Sequence, residues 1–114
     1  MQFSKVLLSL SVVYGMAHAS FVGDATWFNP GLGACGRVNV DSDFIVALSV
    51  AQYGTGSNCG RNIRANFQGH SVVVTVVDKC IGCATNDIDL SPAAFSQLAN
   101  TDVGRIHGVT WDFI

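Results

Sequence analysis

A chain of 114 residues has room for one hydrophobic core and not for two. Its acidic residues are all aspartate, and a formal net charge of −2 gives no electrostatic footprint for nucleic acid or an anionic membrane. The four cysteines all lie beyond residue 34, and an even count in a short exported chain reads as two disulfides.

The chain opens on a targeting pattern. Lys5 supplies a positive charge, Val6 to Val13 an apolar stretch, and Ala17-His18-Ala19 a small-residue cleavage site. The stretch is shorter than the ~18 residues of a membrane span. A signal peptide over 1–19, a mature domain over 20–114 and an extracellular protein are therefore expected.

Gly23 to Phe28 alternates with β-forming residues and stops at Asn29-Pro30-Gly31. Gly31 to Gly36 is a glycine loop pinned by Cys35. Phe44 to Ser49 is a continuous apolar run, buried on both sides whether strand or short helix. Gly54 to Gly60 is a second glycine loop, held by Cys59. Asn62 to Phe67 and the β-branched run Ser71 to Asp78 flank Gln68-Gly69, which predicts a hairpin. A helix is predicted over Pro92 to Ala99, with Ser91 as N-cap, Pro92 at the first position and Leu90 and Phe95 placed as a hydrophobic staple. Ile106 to Phe113 alternates and closes the sheet, with Trp111 as a core residue. Six short strands and one or two short helices in so few residues suggest a closed barrel.

Two aspartates carry most of the functional signal. Asp78 ends the β-branched run, just before Cys80-Ile81-Gly82-Cys83, and Asp89 stands just before the helix start, ahead of the N-cap Ser91. Each has a structural alternative: a strand-end aspartate caps turns, and a carboxylate near a helix start is favoured by the backbone amides, which would hold Asp89 ionised. Asp87 reads as solvated, and His70 and His107 as surface or turn residues. Trp27, beside Thr26, is a candidate for stacking on a sugar ring, although alternation can turn it inward. The Cys80/Cys83 pair lacks the second pair that a zinc site uses and the surroundings of a thioredoxin-like dithiol, so both cysteines are expected in disulfides.

The pattern Gly23-x-Ala25-Thr26-x-Phe28, Gly33-Ala34-Cys35-Gly36, Asp78-x-Cys80-x-x-Cys83 and Asp89-Leu90-Ser91-Pro92-x-Ala94-Phe95 resembles expansin-like proteins. The similarity is to the short fungal loosenins, which share a double-psi β-barrel with barwin, rare lipoprotein A and related glucanases. It implies a mainly β fold with six strands and a shallow groove that binds cell-wall polysaccharide such as cellulose, chitin or hemicellulose and loosens it without hydrolysis. Thr26, Asp78 and Asp89 match groove residues of that family, with Asp89 as the key carboxylate and no residue assigned as catalytic with certainty. Three positions depart from it: Phe28 replaces a threonine of bacterial members, Cys80 a tyrosine, and Asp87-Ile88-Asp89 stands where plant members carry His-Phe-Asp.

Glycoside hydrolysis uses two carboxylates. Related glucanases place their base just after the first strand, where this chain has Asn29, an amide that cannot take a proton from water; Asp24 is a weak substitute. A non-hydrolytic monomer with no metal or organic cofactor and no nucleic-acid or membrane partner is expected. The competing reading is a protein-binding module, such as a cysteine-protease inhibitor or host-interaction protein, with the two glycine loops as its contact surface. The expected pairing is Cys35–Cys83 and Cys59–Cys80.

Overall fold

The computed structural model describes residues 20–114; the signal-peptide assignment lies outside the described residues. Strands β1 (Phe21–Trp27), β2 (Ile45–Ser49), β3 (Asn62–Phe67), β4 (His70–Cys80), β5 (Ile88–Leu90) and β6 (Arg105–Phe113) close into a barrel in the order β1-β5-β2-β4-β3-β6. The β1–β5 and β2–β4 pairs are parallel and the others antiparallel. Helices α1 (Val50–Tyr53) and α2 (Pro92–Phe95) and a 3-10 turn over Thr101–Val103 fill the connections.

The predicted hairpin is β3–β4. Phe67 and His70 pair across Gln68 and Gly69, whose positive φ angles of 48° and 84° make the tight turn that matches strand twist. The continuous apolar run becomes strand β2 from Ile45 to Ser49, buried at every position because it lies between β4 and β5, whereas Phe44, expected to be buried with it, precedes the strand and is 44% exposed. Helix α2 is shorter than expected and gives way to turns after Phe95. Its start is as read: the Ser91 hydroxyl accepts from the Ala94 N–H, and Leu90 and Phe95 are both fully buried.

The barrel interior is filled from alternating positions. Ala25, Ile63, Ala65, Val74, Val76, Ile88, Leu90, Phe95, Val109 and Trp111 are all at most 1% exposed. Trp111 is a core residue as expected, stacked against Phe21 at 4.6 Å, and its indole N–H donates to the Asn86 carbonyl. That same carbonyl would lie 2.2 Å from a Cβ at Gly23, so only glycine lets β1 pass there. The β2–β4 register slips between Val46 and Ala47, which pair with Val76 and Asp78, leaving Val77 as the extra residue of a bulge.

The bulge sets the disulfides, and their pairing corrects the sequence expectation: the bonds are Cys35–Cys59 and Cys80–Cys83. The Cys35 N–H donates to the Val77 carbonyl, and the Gly60 N–H to that of Val76, so both glycine loops converge on one stretch of β4 and their cysteines meet. Cys80 lies four residues further along the strand, roughly 13 Å away at strand rise. There the chain turns back, the Cys83 N–H donates to the Cys80 carbonyl, and the two sulfurs bond within the turn.

Candidate functional site

The strand registers draw one line of residues across five strands. Thr26 of β1 pairs with Arg105 of β6 on one side and Asp89 of β5 on the other. Asp89 pairs with Ala47 of β2, and Ala47 with Asp78 of β4. Alternation aims these side chains away from the core, since their neighbours Ala25, Ile88, Leu90, Val46 and Leu48 are fully buried. The barrel thus unites Thr26, Asp89 and Asp78, which stand far apart in the chain, and adds Arg105, which sequence reasoning passed over by starting the last strand at Ile106.

Asp89 is half-buried. Its Oδ1 accepts a 2.8 Å hydrogen bond from the Thr26 hydroxyl. Burial raises its carboxyl above the ordinary aspartate value; the Thr26 hydrogen bond and the Arg105 charge oppose this, and the Asp78 charge adds to it. The direction is opposite to the one a helix start would give. Asp89 belongs to β5, Ser91 caps α2, and burial moves the carboxyl's titration upward.

Asp78 has a bracing role visible in its bonds. Its Oδ1 accepts from the Ala34 and Lys79 backbone N–H groups, both at 2.8 Å, tying the first glycine loop to β4. Gly33 passes so close that a Cβ there would lie 2.4 Å from the Val77 carbonyl and 3.3 Å from the Asp78 side chain. The glycine is needed for the loop to reach this end of the line.

Trp27 does not join the line. It alternates to the opposite side of β1 from Thr26, packs against the hydrophobic core and donates its indole N–H to the Thr101 carbonyl at 2.9 Å. The inward turn that strand alternation allowed is the one adopted, because the 3-10 turn offers the indole N–H a partner there.

A second polar group flanks the line. Asp24 lies 3.0 Å from Arg105 and 2.9 Å from His107 Nδ1, and these hydrogen bonds, that of His107 first, hold its carboxyl below the usual aspartate value. Asp87, read as solvated, instead accepts the Asp24 backbone N–H and lies 3.8 Å from Arg105. The register slip between Gly23 and Ala25 makes these contacts, which strand alternation alone does not reveal. Asn29 donates to Asp41 at 3.0 Å, so a carboxylate does stand next to the amide that replaces a base. Asp41 lies outside any pattern that marked it in the sequence.

The Cys80 and Cys83 sulfurs and a carboxylate oxygen of Asp89 all lie within 4.8 Å of one another. With the sulfurs joined to each other, this trio offers one carboxylate and no thiolate to a metal ion.

Comparison with known proteins agrees with this geometry. The family model described as lytic transglycolase, a double-psi β-barrel family, matches residues 20–111. The papain inhibitor of Streptomyces mobaraensis is 36% identical over 100 residues, covering 81% of this chain and 70% of that protein. An EG45-like domain containing protein of Citrus jambhiri is 33% identical, covering 87% of this chain and 86% of its own length. An allergen homologue of Arthroderma benhamiae is 36% identical, but the chain spans only 38% of its length. Among solved structures, Streptomyces papain inhibitor superposes with a TM-score of 0.79 at 35% identity, over 84% of this chain and 94% of that one. A mutant Clavibacter michiganensis expansin in complex with cellohexaose gives 0.76 at 26% identity, over 84% of this chain and 50% of that one. A match over the whole barrel, together with relatives above 30% identity, shows that the chain belongs to this double-psi β-barrel family, as an expansin-like member.

Proposed function

We propose that this protein is exported after removal of residues 1–19 and binds cell-wall polysaccharide, loosening it without hydrolysis. The observation that carries the reading is the line Arg105–Thr26–Asp89–Ala47–Asp78. Asp89 and Asp78 accept hydrogen bonds from sugar hydroxyls, Thr26 orients the Asp89 carboxyl, and Arg105 donates at the edge. Ala47, buried between them in the register, contributes only a methyl group. An expansin of the same fold, bound to cellohexaose, supports a glucan chain as the ligand class.

Hydrolysis needs an acid and a separately placed base or nucleophile. Asp89, raised by burial, suits the acid, but the position after β1 holds Asn29, bonded to an exposed Asp41. Sedimentation of the secreted protein with insoluble cellulose, chitin and xylan tests the binding. Wild type is expected to be depleted from solution by at least one of them. Asp89→Asn is expected to bind roughly 3–10-fold more weakly, because a neutral amide replaces a charge-assisted acceptor. A folded Asp89→Asn protein that binds as wild type does would remove Asp89 from the groove. Sustained release of reducing sugar, lost in that variant, would replace loosening with hydrolysis.

A second reading, binding to a cysteine protease, is favoured by the papain-inhibitor relative and by apolar side chains held out on the loops. Leu32 and Val38, bridged to each other at the base of the first glycine loop, are 75% and 73% exposed, and Ile81 is 80% exposed. Undiminished papain activity in excess protein would exclude it; inhibition lost on Leu32→Ser would establish it.

A further inference from the structure

We propose that Cys80–Cys83 is a thiol–disulfide exchange site for small thiols and dithiols, with the Asp89 carboxyl beside it as the proton donor. The two disulfides differ in what they hold. Cys35–Cys59 joins loops that are 24 residues apart in sequence and both anchored on β4. Cys80–Cys83 spans a separation of 3, inside a turn already closed by the Cys83 N–H on the Cys80 carbonyl. It also lies at the end of barrel pairing, since Cys80 opposite Ser49 is the last pair between β4 and β2. Opening it leaves the core and the barrel hydrogen bonds in place. Cys80 and Cys83 are partly exposed residues in a turn whose Ile81 is 80% exposed, which puts the bond at the protein surface.

The chemistry is a pair of displacements. A thiolate attacks one of the two sulfurs, the bond between Cys80 and Cys83 breaks, and a mixed disulfide forms. The displaced sulfur leaves with the electron pair and takes a proton from the neighbouring Asp89 carboxyl. A second thiolate, or the other arm of the same dithiol, attacks the mixed disulfide at the reductant's sulfur and displaces the second protein sulfur as a thiolate, which takes its proton from water, as Asp89 then does to regain its own. The protein gains two electrons and two protons, and the reductant leaves as its own disulfide. Because Asp89 lies within 4.8 Å of both sulfurs, its charge state governs the rate: the acid form supplies the proton, whereas the carboxylate repels both the incoming and the departing thiolate. The charged groups facing Asp89 are Arg105 from β6 and Asp78 from β4, with the Thr26 hydroxyl from β1; burial and Asp78 raise its titration, and Thr26 and Arg105 lower it. The site stands whatever the groove binds.

The test treats the secreted protein with dithiothreitol under native conditions from pH 4 to 8, quenches with iodoacetamide and maps the labelled cysteines by mass spectrometry. Cys80 and Cys83 are expected to label at least about tenfold faster than Cys35 and Cys59, and oxidised glutathione is expected to restore the bond with the fold intact throughout. Normalised to the reductant's thiolate, the rate is expected to fall as pH rises through the Asp89 titration. Thr26→Val, which removes a hydrogen bond that lowers that titration, moves the inflection to higher pH, and Asp89→Asn abolishes it. Equal labelling of all four cysteines, or reduction only on unfolding, overturns the proposal. An inflection that is the same in wild type and both variants overturns the role of Asp89.

Discussion

Removing each disulfide in turn separates its two structural duties. The stabilisation from a cross-link follows the entropy it takes from the unfolded chain, which grows with the number of residues enclosed. Cys35–Cys59, at a separation of 24, encloses about 25 residues and is worth about 3.5 kcal/mol on that relation. Cys80–Cys83, at a separation of 3, encloses about four and is worth about 1.9 kcal/mol. For a domain of this size each kcal/mol moves the melting temperature by about 4–8 °C. The double variant Cys35→Ala with Cys59→Ala is therefore expected to melt about 6–13 °C below the variant Cys80→Ala with Cys83→Ala. The two glycine loops add to this gap, because their bonds to Val76 and Val77 stay formed only while the loops remain docked. Thermal unfolding by circular dichroism at neutral pH checks the order. If the two variants melt together, or the Cys80 and Cys83 variant melts lower, then the short turn is the structural staple and the assignment above is wrong.

Three further outcomes follow from single contacts. Asp89 titrates above its unfolded value of 3.8, so the folded state holds its proton more tightly and the stability this confers is full below that pH. It is lost as pH rises from there through the raised value, while Asp24, and Asp43 with its hydrogen bonds from the Asn39 amide and the Val40 N–H, titrate below 3.8 and lose theirs as pH falls through their depressed values. Melting temperatures of Asp89→Asn relative to wild type are accordingly expected to rise between acid and neutral pH, and a flat difference would contradict the burial effect. Gly33→Ala drives a methyl group into the Val77 carbonyl and is expected to destabilise by about 1–3 kcal/mol, whereas Gly31→Ala, with nothing within 4 Å, is near neutral; urea unfolding of both variants checks this. Trp27→Phe loses the bond to the Thr101 carbonyl, about 0.5–1.5 kcal/mol in the same assay, and is expected to leave binding to insoluble glycans unchanged.

The polar line also explains why the family resemblance carries over unevenly. Phe28, at the position of a bacterial threonine, lies just past β1, where its N–H donates to the Leu90 carbonyl and continues the β1–β5 pairing. Cys80, at the position of a tyrosine, is bonded to Cys83 beside Asp89. At both positions the side chain differs from the one the resemblance implies, while Thr26 and Asp89 are joined by a hydrogen bond.

What the sequence determined by itself was whatever depends on near neighbours. The β-branched density of Ser71 to Asp78, the Gln68-Gly69 turn, the unbroken apolar run of β2 and the Ser91-Pro92 helix start all rest on interactions within a few residues, and each appears in the structure where local pattern placed it. The motif from Asp78 to Phe95 likewise marked the fold, because its cysteines, aspartates and cap follow one another directly. What depends on barrel closure was decided only in three dimensions. Thr26 meets Asp89 across 63 residues and His107 meets Asp24 across 83, through strand registers that no local period encodes. The bulge at Val77 drew Cys35 and Cys59 together and left Cys80 to bond within its own turn. Trp27 turned toward the core because a carbonyl 74 residues away could accept its N–H. The titration of Asp89 was set in the same way: its direction comes from burial under neighbouring strands, and burial is a property of the closed barrel and not of the residues beside Asp89 in the chain.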